Sequence, residues 1–314
     1  MLLEYGNGDF IMGKGKGKGK GKVLIKGKSM GDLWQYSVQK YPANTKDYYF
    51  NKSRQYKLIG PETKVCSMGS CFGIEIAKLL KRLKFKYLVT ERNALFSANW
   101  EKLYNISSIR QVFQYSLSEF NPIVHWWDRN GLMQDPFRRG IEYQPGTETI
   151  KFNQHVQASK QALSQADVIT ITLGMVELWR DKRDGATYWR VPPKQHYNPK
   201  IHEFHVQTVD EVLEEMRTIR ALAGKTKIIW TVSPVPFMAT FRNDTDPITA
   251  NFYSKACLRS AVEMMVNEDE HSYYFPSYEA IILGHENRYR PDNRHITQVI
   301  INQTIQFFKR MYMK

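Results

Sequence analysis

Cysteine is scarce in this sequence: Cys66, Cys71 and Cys257 are the only three in 314 residues. The count is odd, and the spacing is neither that of a disulfide framework nor that of a zinc site. Free thiols suit a reducing compartment. No apolar run approaches the roughly 20 residues that a bilayer-spanning helix needs. The N-terminus, MLLEYGNGDFIMGKGKGK, lacks the basic start, apolar centre and small-residue cleavage site of a secretory signal. These absences point to a cytoplasmic protein with no membrane span. The zinc-protease spacing is missing too. His202 and His205 of HEFH stand three apart rather than four, and no metal is expected.

Acidic residues are also in the minority, 31 against 45 Lys and Arg, for a net charge of +14. Seven of the lysines fall in the first 28 residues, which hold only Glu4 and Asp9 as acids. The alternating Gly-Lys stretch 13–22 has no core-forming side chain, so residues 1–28 are expected to form a disordered tail. Residues 29–63 read as an irregular N-terminal extension and 64–314 as the folded domain. Nucleic acid is a possible partner for so basic a chain, but a solvated surface explains the charge more simply, and nucleic-acid binding ranks last among the readings here.

From residue 64 the pattern is regular. KVCSMG reads as a buried strand, GIEIAKLLKRLKF as an amphipathic helix and KYLVT as a second strand. ISSIRQVFQYSL is a helix that Ser107 or Ser108 can cap. Residues 120–150 and 180–207 look like irregular excursions, and their Trp126, Trp127, Trp179 and Trp189 suit either sugar stacking or local core. DVITITLG and KTKIIWTV are further buried strands. TVDEVLEEMRTIRALAG is a helix with Thr208 and Glu211 as a capping box. ITANFYSKACLRSAVEMMVNE is a helix, HSYYFPSYEAI a strand and loop, and ITQVIINQTIQFFKRMYM the last helix. Alternating strands and helices predict a parallel sheet with helices on both faces. The chemistry of such sheets lies beyond the carboxyl ends of the strands.

Candidate residues stand at those ends. Gly69 permits a sharp turn, and Ser70 and Cys71 follow it at the start of a helix, where free N–H groups and the helix dipole favour an anion and an easily ionised thiol. Cys71 is either a nucleophile or a small filler of the turn. Gly174 and Glu177 follow VITITL, and Glu177 there is either a pocket carboxylate or an ordinary loop acid. Asp292 and His295 form an Asp-x-x-His before the last helix, suited to a base and its orienting acid. A surface turn explains that pair equally well.

SMGSCFGIEIAKLL, YNISSI, TLGMVELW, TVSPVP, YSKACLR, YFPSYE and DNRH, in this order, resemble the GSCFA family, placed within the wider SGNH or GDSL-like hydrolases. The resemblance implies a three-layer α/β/α sandwich with a flavodoxin-like parallel sheet, the SGNH hydrolase fold. It implies ester hydrolysis or acyl transfer, often on glycans, with His295 as base and Asp292 as its partner. Laid on Gly-Asp-Ser, the segment Gly69-Ser70-Cys71 puts Cys71 at the nucleophile position and Ser70 second. The usual oxyanion Asn is absent from Gly174–Glu177, leaving Asn105 as a candidate donor beside Gly69.

The function expected is therefore an esterase or acyltransferase acting on an acyl ester of a glycan or small molecule. It requires no cofactor, and acyl-CoA is a possible co-substrate. The alternative is a non-catalytic carbohydrate-binding or scaffold protein on the same fold.

Overall fold

The computed structural model describes residues 53–83, 85–119 and 124–314, with residues 10–12, 23–25, 28, 29, 42, 44, 45 and 48. The chain divides into two units, Met1–Ala43 and Asn44–Lys314. In the first, β1 (Phe10–Met12), β2 (Val23–Ile25) and β3 (Lys28–Ser29) pair antiparallel in that order. The Gly-Lys stretch 13–22, expected to be disordered, lies outside the described residues, as does most of the expected extension before residue 53.

The second unit is built on four parallel strands: β4 (Val65–Gly69), β8 (Val168–Leu173), β12 (Lys227–Val232) and β13 (Ser272–Tyr274). Their spatial order is β13-β12-β8-β4. Every residue of VITITL in β8 is buried. A strand buried along its whole length suits a sheet covered on both faces. Register places Cys66 beside Ile169 and Ile171 beside Trp230. The expected second strand, KYLVT, is not one. It meets β4 only as a single parallel bridge between Tyr87 and Val65. Counting that bridge as strand two, the order is 2-1-3-4-5, as in flavodoxin-like sheets, and the switch point falls between β4 and β8.

Helices cover both faces. On one side Ile109, Val212, Met216, Leu258 and Val262 pack on Met68, Ile171 and Trp230. They come from α2 (Ile106–Leu117), α4 (Val209–Ala223) and α5 (Pro247–Glu268), with Leu163 of α3 (Glu148–Ser164) beside them. On the other, Val65, Val168 and Ile229 meet α1 (Gly73–Arg82), α6 (Ser277–Gly284) and α7 (Gln298–Tyr312) through Ile76, Leu80, Ile281, Phe307 and Phe308. The unit is thus an α/β/α sandwich. Local signals agree with it. The capping box of α4 forms between Thr208 and Glu211. At α5, Asp246 accepts from the N–H groups of Ile248 at 2.8 Å and Thr249 at 3.0 Å, ahead of Pro247.

Among the described residues, both excursions contain short paired strands. β5 (Trp127–Arg129), β6 (Leu132–Gln134) and β7 (Glu142–Tyr143) form one small antiparallel sheet. Its first turn is Asn130-Gly131, with φ of 51° and 76°, the two positive values of a type I′ hairpin turn. β9 (Glu177–Asp181) pairs with β10 (Thr187–Tyr188) and β11 (His202–Val206) in another. Trp126 and Trp127 pack with Phe137, Phe152 and Tyr188 as a local core. The second of these sheets begins at the carboxyl end of β8, since β9 follows that strand directly.

Two strands approach each other closely at the end of β4. Gly69 has φ +128°, and a Cβ there would stand 2.3 Å from the carbonyl oxygen of Thr172. Neither the dihedral nor the space admits a side chain. Gly69→Ala is expected to destabilise the domain by about 3 kcal/mol or more, read by chemical denaturation. Gly185→Ala, at φ +74° with nothing within 4 Å of the added carbon, should lose only about 1–2 kcal/mol. Equal losses would mean that the β4–β8 contact is slack.

Candidate active site

A cavity of about 590 Å³ opens beyond the carboxyl ends of β4, β8 and β12. Of the residues expected at a site, Ser70, Cys71, Asn105, Gly174, Glu177 and His295 line it. Gly69 does not. It turns the chain against β8, and its carbonyl accepts the Leu103 N–H at 3.0 Å. Asp292 stands behind His295.

Ser70 and Cys71 leave β4 on a tight path. Ser70 N–H donates to the Thr172 carbonyl at 2.9 Å, and Gly73 N–H to the Ser70 carbonyl at 2.9 Å. The Ser70 hydroxyl is buried and has no hydrogen-bond partner among the described residues. Cys71 is partly exposed on the cavity wall. Its thiol does not ionise easily, contrary to expectation. Burial pushes its pKa up, and this outweighs the opposing pull of Lys102, of Lys255 and of the Phe72 and Cys71 N–H groups. The helix N-terminus is real, but desolvation of the thiolate is the larger effect.

Asp292 holds His295. Its Oδ2 accepts from His295 Nδ1, and its Oδ1 accepts the backbone N–H groups of Arg294 at 3.1 Å and His295 at 3.0 Å. Those bonds, the imidazole first, hold the Asp292 carboxyl well below the usual carboxylate range. With Nδ1 engaged, Nε2 is the nitrogen left to act as a base.

Helix α2 is capped by Asn105, not by Ser107 or Ser108: the Asn105 Oδ1 accepts the Ser108 N–H at 2.8 Å. The cap fixes the amide, and among the described residues no protein acceptor takes its NH2 end. That end can therefore donate into the cavity. Gly174 cannot, because its N–H and that of Met175 both bond the Tyr104 carbonyl, at 2.8 and 2.9 Å. It is a close-packed wall instead, where a Cβ would stand 2.8 Å from the Tyr104 carbonyl oxygen and 3.3 Å from the Ser70 Cβ. Glu177 opens β9 rather than sitting in a loop. Both its oxygens accept the Thr240 hydroxyl, at 2.8 and 2.9 Å, and burial raises its pKa. The HEFH histidines have protein partners, Asn198 N–H for His202 and Glu211 for His205.

Sequence reasoning missed Lys255. It lies on the inward stripe of α5 with Ser254, Leu258 and Val262 and is 1% exposed. Its Nζ donates to the carbonyls of Gly174 at 2.6 Å and Val235 at 3.1 Å, joining the loops after β8 and β12. Burial lowers its pKa from 10.5 to about 7, and the Cys71 sulfur opposes that shift. A lysine among apolar residues at helical spacing was a legible signal for a buried cation.

The thiolate of Cys71 and the protonated Lys255 amine favour each other, so Lys255→Met should raise the apparent pKa of Cys71 alkylation by iodoacetamide, mapped by mass spectrometry, above the wild-type value, itself already above that of a free thiol. An unchanged pKa would mean that the two groups do not interact. The stability difference between the two proteins should also titrate. The unfolded chain holds the Lys255 proton up to about pH 10.5 and the folded chain only to about 7. Below pH 7 the full penalty of the buried charge is present. Between pH 7 and 10.5 wild type gains on the variant, with a slope of up to about 1.4 kcal/mol per pH unit. A flat difference across that window would contradict the buried, weakly basic amine.

Among known proteins, no curated protein and no solved structure matches the chain. A sequence model of the GSCFA family matches residues 64–308. That span begins just before β4, ends within α7 and contains every residue of the site described above. The chain belongs to the GSCFA family.

Proposed function

We propose that the protein is an SGNH-like esterase or acyltransferase in which Cys71 is the nucleophile and His295, oriented by Asp292, the base. The observation that carries this reading is the convergence of Cys71, Asn105 and an Asp-backed His295 on one cavity at the switch point of a parallel sheet. The resemblance of its motifs to the SGNH hydrolases supports it.

In the first step the Cys71 Sγ attacks the acyl carbonyl carbon. An S–C bond forms, and the thiol proton passes to His295 Nε2. The Asn105 amide and the Cys71 and Phe72 N–H groups face the oxyanion. The C–O bond to the leaving group breaks, and the alcohol departs with the proton from His295. Water or an acceptor hydroxyl then attacks the thioester, His295 takes its proton, and the proton returns to Cys71 as the S–C bond breaks. The acyl donor can be an oxygen ester or a thioester of the acyl-CoA type. Because burial keeps Cys71 protonated, it works as a general-base-activated thiol rather than a standing thiolate.

A second reading, glycan binding without catalysis, draws on Trp179 and Trp189. Both line the cavity, and neither indole N–H has an acceptor among the described residues. Both N–H groups are buried, so what the indoles offer a sugar is a ring face as a stacking platform.

The deciding experiment is a burst assay with p-nitrophenyl acetate, followed by mass spectrometry of the acylated protein. The expected adduct is on Cys71. Cys71→Ala should lower kcat/KM by about a thousandfold or more, His295→Ala by about 10²–10⁴-fold, and Ser70→Ala by less than tenfold. An adduct on Ser70 would reassign the nucleophile, and no adduct with intact glycan binding would favour the second reading. Loss of activity in Lys255→Met but not in His295→Ala would make Lys255 the base.

A further inference from the structure

The cavity is strongly cationic, and its cations are uncompensated. Lys102, Arg139, Arg190 and Arg294 line it. Among the described residues none of the four has a carboxylate within ion-pair distance. Arginines close by are paired: Arg180 with Glu203, Arg183 with Asp181 and Arg242 with Asp244.

Neutral groups orient these cations without cancelling their charge. Arg139 stands near the Tyr104 hydroxyl, whose pKa burial raises and Arg139 lowers. Arg294 donates from Nε and Nη2 to the Pro236 carbonyl, at 3.3 and 3.2 Å. Arg190 donates to the Val191 carbonyl at 3.2 Å and sits 5.2 Å from the Trp189 ring centroid. The one carboxylate in the lining, Glu177, is tied to Thr240 and lies near Arg242. Lys102, Arg139 and Arg294 share this cavity with Cys71 and Tyr104. Lys102 acts directly on Cys71, while Arg139 and Arg294 act on Tyr104, which also feels Cys71. Apolar walls such as Trp179, Phe237 and Phe241 focus such a field into the cavity.

We infer that the site selects an anionic substrate, an acyl ester or thioester bearing a carboxylate or phosphate that Lys102, Arg139 and Arg294 bind beside Cys71. As a statement about substrate, this rests on the proposed acyl-transfer reading. As a statement about anion binding next to Cys71, it is tested apart from it.

Two alkylating agents of similar size differ in charge: iodoacetate is an anion and iodoacetamide is neutral. Their relative rates at Cys71 report the local field and require no turnover. The measurement is the ratio of iodoacetate to iodoacetamide labelling on the Cys71 peptide, in the folded protein and in the same chain unfolded in urea. At low ionic strength the folded ratio is expected to exceed the unfolded one by about tenfold or more. It should fall toward the unfolded ratio near 1 M salt, where the Debye length is about 3 Å. In Arg139→Gln, Arg294→Gln and Lys102→Gln each ratio should drop, and inorganic pyrophosphate or succinate should slow labelling of the wild type. Stronger protection by pyrophosphate assigns a phosphate, and stronger protection by succinate a carboxylate. A folded ratio equal to the unfolded one, or one that salt does not change, overturns the inference whether or not the variants fold. An absent burst with p-nitrophenyl acetate beside a high iodoacetate ratio would remove the esterase reading and leave the anion site standing.

Discussion

The architecture of the site depends on how closely β4 and β8 come together at their carboxyl ends. Gly69 has no room for a side chain over Thr172, and Gly174 has none between Tyr104 and Ser70. Ser70 N–H closes the pair by bonding the Thr172 carbonyl. Because the strands meet this tightly, the chain leaving β4 must turn at once. That turn puts Cys71 on the cavity wall and keeps Ser70 beneath it. The two glycines are therefore steric requirements. They make no contribution to the site through their own N–H groups.

A second constraint lies one layer below. The loops after β8 and β12 both direct a carbonyl at Lys255. An apolar residue at that position would leave two buried carbonyls unsatisfied, at roughly 1–3 kcal/mol. A lysine satisfies them and places a titratable amine under the cavity floor. The same side chain thus ties together two of the strand ends that form the floor and biases the electrostatics of the thiol above it.

Much of this was legible in the sequence. The buried strands VCSMG, VITITL and KIIWTV, the helices between them and the Thr208–Glu211 cap follow from periodicity and local chemistry, and these interactions are short in range. The site residues stood out by their position after strands. The misreadings have physical causes. KYLVT has strand composition but a partner on one side only, and it forms a single bridge. Residues 120–150 looked irregular because their strands are two or three residues long, although Asn130-Gly131 was a hairpin signal in plain view. Asn105 displaced the serines as cap because the helix starts at Ile106, ahead of both serines, and the Asn105 side-chain oxygen accepts the Ser108 N–H. Helix-dipole reasoning about Cys71 omitted desolvation, which depends on what the fold packs around the sulfur and cannot be read from neighbours in the chain.

The cationic lining and the raised Cys71 pKa bear on each other. Lys102 and Lys255 favour a thiolate, yet burial keeps the proton on sulfur. On the proposed reading an anionic substrate enters that same field and neutralises part of it. The thiolate then becomes still less favourable at the moment when the acyl carbon arrives. A mechanism that depended on a standing thiolate would be weakened by its own substrate. A mechanism in which His295 removes the proton during attack is not, because no negative charge has to persist on sulfur in a site that already holds an anion. The oxyanion that forms next is then left to the Asn105 amide and the Cys71 and Phe72 N–H groups, since the cations hold the substrate's anion. In this arrangement Asp292, with its carboxyl held ionised by His295 and two backbone N–H groups, places the compensating negative charge behind the base and away from the substrate.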